Sequence, residues 1–155
     1  MRERRGMTER FDEAPSPRRG AATMEPLWRA THYSGGAGCS AQARAFAEAF
    51  LAGLRQTWSV ALDRVTAGDV LLVVSELITN ADRHSPGPCV LELEGTPRQV
   101  TVTVYDSGAA VPRRRPRDPA RVGGHGLEIV GALAELRVER VPVGKRVSAV
   151  LTLPA

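Results

Sequence analysis

Lysine is all but missing from this chain: Lys145 is the single one among 21 basic residues, the other twenty being arginine. Such a bias fits a GC-rich genome as well as selected guanidinium chemistry, so arginine abundance alone carries no functional weight. Cysteine is scarce too. Cys39 and Cys89 lack metal-ligand spacing and make no disulfide framework, which leaves reduced thiols as the expectation. No apolar run approaches the roughly 20 residues needed to cross a bilayer, and the basic start leads into no apolar signal stretch. A cytoplasmic protein without a membrane is therefore expected. Internal repeats and aromatic RNA-binding motifs are also missing. What remains is 155 residues, 43% hydrophobic and 25% charged. These values suit one globular domain and exclude a wholly disordered or collagen-like chain.

A formal charge of +4 invites a nucleic-acid or membrane-surface reading until its location is considered. Residues 1–20 carry six arginines against four acids, and residues 113–121 carry five arginines against Asp118. The remaining chain holds ten basic and twelve acidic residues, so its body is slightly acidic. Direct nucleic-acid binding through Arg113, Arg114 and Arg115 thus stands well behind other readings. It would show itself as a steeply salt-dependent affinity.

Residues 1–24 mix Arg, Glu, Pro, Ser and Gly without an apolar period and read as a disordered Arg/Pro-rich tail, leaving 25–155 as the domain. A first strand, Trp28 to Ser34, meets Gly35, Gly36 and Gly38, after which Ser40 offers an N-cap to an Ala-rich helix. Thr66 and Asp69 form a capping-box-like start for a second helix, whose stripe is Val70, Val73, Val74, Leu77, Ile78 and Ala81. Strands at 89–94 and 100–106 follow, then a Pro/Arg-rich segment, a helix after Gly126, and closing strands near 136–141 and 146–153. Three helices and five strands, interleaved, imply a two-layer α/β sandwich.

Glu76, Asn80 and His84 are spaced by four, each rotated roughly 40° from the last, so they form one row beside the apolar stripe. Such a row is either a satisfied structural rim or part of a site. Asp106 follows Val100, Val102 and Val104 on one strand face, a costly place for an idle carboxylate. With Ser107 and Gly108 it marks a strand end turning into a loop, or an acceptor for a ligand amino group beside a glycine that permits close approach. Gly124, His125 and Gly126 precede an apolar helix. They supply loop flexibility, or N–H groups at the positive end of a helix for a phosphate.

Order, spacing and context together resemble the GHKL ATP-binding fold, and within it the small anti-sigma-factor serine/threonine kinases, over roughly residues 28–153. Ser75 to Ala81 followed by His84 is similar to the family's N box. Val104 to Gly108, followed by Pro112, resembles its adenine-binding box, and Gly124-His125-Gly126-Leu127 its phosphate-binding glycine box. The resemblance implies a histidine-kinase-like ATPase fold, α/β, in which three helices cover a mixed, mainly antiparallel sheet.

By that resemblance ATP and Mg²⁺ are the cofactors. Asn80 would ligate the Mg²⁺, which suits a hard, oxygen-seeking ion. Glu76 would act as general base toward a serine hydroxyl. Asp106 would receive the adenine amino group, and Gly108, Gly124, His125, Gly126 and Leu127 would complete the nucleotide site. Arg83 and His84 would support phosphate, or serve as cations at a helix end. Ala110 stands where the family often has a second glycine, and the lid from 109 to 122 is short and Arg-rich, with prolines at 112, 116 and 119. A lid this short suits the small serine-kinase branch. The implied partners are a sigma factor and an anti-anti-sigma protein, with a homodimer as the implied assembly. The alternative is a nucleotide-dependent binding module without phosphotransfer.

Overall fold

The computed structural model describes residues 25–85, 87–107 and 126–154. The expected tail over residues 1–24 lies outside the described residues, as do Gly108, the Arg-rich lid, Gly124 and His125.

Strand β1 (Leu27–Tyr33) leads through Gly35, Gly36 and Gly38, all at positive φ, into helix α1 (Cys39–Trp58). Ser40 is not its cap. Gly38 holds the capping position at φ 92°, a left-handed turn open to glycine, and no side chain caps the helix. Helix α2 (Arg64–His84) likewise starts earlier than its sequence suggests. Asp63 is the N-cap, and its carboxylate accepts from the Thr66 N–H at 2.7 Å. Thr66 is thus the capped residue rather than the capping one.

Helix α1 buries Ala43, Ala47, Phe50, Leu51 and Leu54, and α2 buries the whole stripe from Val70 to Ala81 read from its periodicity. Ala43 and Ala47 have no exposed surface, and side chains that short let α1 approach its neighbours closely. Both helices lie on one face of a five-stranded sheet made by β1, β2 (Cys89–Gly95), β3 (Gln99–Asp106), β4 (Glu135–Arg140) and β5 (Lys145–Thr152). From that face Leu91, Leu93, Val100, Val102, Val104, Val147, Ala149 and Leu151 enter the core. The opposite face is polar: Tyr105 donates to Glu92 at 3.3 Å, Thr103 bonds Ser148, and Arg146 pairs with Glu139. The two-layer α/β sandwich expected from sequence is what forms.

The strand order is β1-β2-β3-β5-β4, and all four pairings are antiparallel. The sheet is therefore not mixed. Helix α3 (Gly126–Leu133) carries the chain to β4, which runs in the same direction as β3. Strand β5 then folds back into the gap between them, antiparallel to both, so the two like-directed strands never pair.

Candidate functional site

Of the residues singled out by sequence, Glu76, Asn80, Arg83, His84, Asp106, Gly126 and Leu127 lie among the described residues. On α2, Glu76 and Asn80 are half-buried, one turn apart, where the polar row borders the core stripe. Arg83 and His84 follow on the last turn and are exposed. Helix α3 begins directly against this row. A Cβ added to Gly126 would run into Glu76 Oε2 and lie 3.4 Å from Glu76 Cδ. Only glycine lets the start of α3 come this near the carboxylate, and the partial positive charge of a helix N-terminus favours an anion there. Leu127 turns the other way, 8% exposed, and joins Val130 in the core. It anchors α3 by packing.

Asp106 ends β3 on the helix-covered face, 4% exposed, at the end of the valine row as its alternation requires. Cys89 of β2 and Lys145 of β5 are its register partners. Lys145 Nζ lies 3.1 Å from Asp106 Oδ2, with both side chains 1% exposed. This buried ion pair was not read from the sequence. A signal was present nonetheless: the chain's only lysine shares strand parity with Val147, Ala149 and Leu151.

Gly144 precedes that lysine at φ 93°, and its N-terminal neighbour turn closes with the Val141 N–H donating to the Gly144 carbonyl at 3.2 Å. A Cβ at Gly144 would overlap the Asp106 carbonyl oxygen and approach Ser107 Cα to 2.7 Å. The β4–β5 turn is thus pressed onto the end of β3. On the other flank, burial pushes the Cys89 thiol pKa up, helped by Cys39, Asp106 and Asp82 nearby. The start of α1, the end of α2 and the starts or ends of three strands therefore converge on Asp106. Asp82 Oδ1 also accepts from the Gly36 N–H at 3.2 Å, tying the loop after β1 to α2.

The arrangement offers two chemistries. Glu76 and Asn80 give a carboxylate and an amide oxygen one turn apart beside the start of α3. Among the described residues no cluster of three or more His, Cys, Asp or Glu forms a metal cage. Few protein oxygens suit Mg²⁺, which keeps several waters and takes phosphate oxygens as ligands. Asp106 offers carboxylate oxygens, buried beside Lys145, of the kind that accept from an amino group. Of the sequence-derived candidates, Gly126 lies against Glu76, Asn80 is one turn from Glu76 on α2, and Asp106 ends β3 beside Lys145. No helix among the described residues is long and apolar enough to cross a membrane.

A comparison with curated proteins found no match to the chain. Residues 39–151, most of the chain and all of the elements from α1 nearly to the end of β5, match the family model described as the histidine kinase-like ATPase domain, and the chain belongs to that family.

Proposed function

We propose that this chain binds ATP with Mg²⁺ and transfers the γ-phosphoryl group to a serine or threonine of an anti-anti-sigma protein, while sequestering a sigma factor when that partner is absent. The observation that supports the reading is the closeness of the start of α3 to Glu76, where a Cβ on Gly126 would meet the carboxylate, beside a helix end of the kind that suits phosphate. When bound, Mg²⁺-ATP supplies the transferable phosphoryl group and the cation that offsets its charge.

The chain's own residues do the rest. Asp106 accepts from the adenine amino group and orients the base. Asn80 would hold the metal through its amide oxygen, and N–H groups at the start of α3 would meet the phosphates. Glu76 takes the proton of the attacking hydroxyl as the new phosphorus–oxygen bond forms and ADP departs. A base so placed contributes about 10²–10⁴-fold, and positioning supplies most of the remainder.

The test is incubation with Mg²⁺-ATP and candidate anti-anti-sigma proteins, scored for phosphoserine or phosphothreonine. Glu76→Ala is expected to keep nucleotide affinity near that of the unaltered protein and to abolish transfer. Normal phosphorylation by Glu76→Ala refutes the base assignment. ATP binding without transfer to any partner makes the chain a nucleotide-dependent binding module instead.

A further inference from the structure

Across the site end of the sheet, on its helix-covered face, one register row reads Cys89, Asp106, Lys145 and Arg140. Lys145 is the anomaly in that row. Its side chain is 1% exposed, although an ammonium in the interior loses its hydration. Its partner carboxylate oxygen is 3.1 Å away, yet Nζ makes no hydrogen bond of good geometry among the described residues. The contact is one of charge at close range rather than a directed hydrogen bond. Arg140, the next residue in the row, is exposed, so Lys145 is the buried cation beside Asp106.

A buried lysine held on these terms is a poor way to fill a core position. Val147, Ala149 and Leu151, on the same face of β5, show what packing alone selects. The chain also keeps lysine here while using arginine at its twenty other basic positions. A compact ammonium fits behind a carboxylate where a planar, branched guanidinium needs more room and more acceptors.

We infer that Lys145 is a positioning residue for base recognition: from 3.1 Å away it holds the Asp106 carboxylate in place, so that Asp106 discriminates for a purine bearing a 6-amino group. The inference rests on the ATP reading of the site. Asp106 is the residue that meets the base, and Lys145 acts through it. A neutral residue at position 145 takes away the ammonium 3.1 Å from Asp106 Oδ2, and the hydrogen bond from Asp106 to the amino group weakens with it.

The experiment compares binding of ATP and of purine riboside triphosphate, which differs from ATP only in lacking the 6-amino group, by calorimetry. The unaltered protein is expected to prefer ATP by about 10- to 100-fold, the range of a hydrogen bond to a charged group. Lys145→Met should erase most of that preference while leaving affinity for purine riboside triphosphate within about threefold. Lys145→Gln keeps polar atoms at the position, removes the charge and serves where Lys145→Met does not fold; it should erase the preference too. Lys145→Arg restores part of it. A preference that survives in either neutral variant overturns the role of Lys145, as does an equal fall in affinity for both nucleotides. If the unaltered protein shows no preference, the adenine assignment of Asp106 itself fails, and the role of Lys145 falls with it.

Discussion

On the phosphotransfer proposed above, Gly126→Ala should separate catalysis from stability. Gly126 is the first residue of α3 and is not among the glycines at positive φ, so alanine suits its backbone. At such a position Gly→Ala stabilises by about 0.4–1 kcal/mol through the unfolded chain. The added methyl, however, meets Glu76 Oε2 inside any real contact distance. Relief requires the carboxylate to withdraw by about 1 Å, which its half-buried, rotatable side chain can do, and a displacement of that size costs on the order of 10²-fold in rate. The activation barrier rises by about 2.7 kcal/mol. The expected pattern is an unchanged or slightly raised melting temperature and transfer of labelled γ-phosphate slowed about 100-fold. ATP affinity should change far less than the rate. Transfer at the normal rate by a folded Gly126→Ala protein refutes the claim that the Glu76 carboxylate works from the place it occupies against α3.

Two further perturbations address the scaffold. Leu77→Ala removes a side chain 1% exposed at the centre of the α2 stripe; the expected loss is about 2–5 kcal/mol, a melting temperature lower by about 5–15 °C in thermal unfolding. Asp63→Ala removes the α2 cap, and the effect should depend on pH. Hydrogen bonds from Thr66 hold the Asp63 carboxyl pKa below its usual value, so the folded state favours the ionised form. The cap's contribution is therefore present above about pH 4, where the unfolded carboxyl is already ionised, and fades as pH falls below that through the lowered folded value. Melting curves of Asp63→Ala and the unaltered protein should differ at pH 7 and draw together toward pH 2.

Periodicity made the placement of Glu76, Asn80, His84 and Asp106 on their elements legible in advance. The four-residue spacing of Glu76, Asn80 and His84 needs only a helix, and the valine row that carries Asp106 inward needs only a strand. What escaped depended on dihedrals or on partners far along the chain. Ser40 and Thr66 have capping chemistry, but Gly38 and Asp63 have the backbone geometry at the point where each helix begins. The antiparallel sheet follows from β5 folding back between β3 and β4, a choice of neighbour that strand patterns do not encode. Lys145 was hidden for the same reason. Its inward parity is local, but the carboxylate that makes the position meaningful belongs to β3.

The insertion of β5 between β3 and β4 also bears on how the protein opens. Local unfolding proceeds in contiguous cooperative units, often supersecondary motifs, and the β4–β5 hairpin meets the rest of the sheet along the single seam between β5 and β3. Asp106 and Lys145 close one end of that seam, and Gln99 and Thr152 the other. If Asp106 meets the base as proposed, a nucleotide would act as a clasp on the hairpin. At a concentration 100 times its dissociation constant it would stabilise the closed seam by about 2.7 kcal/mol, slowing amide exchange in β5 roughly 100-fold while the β1–β2 seam exchanges as before.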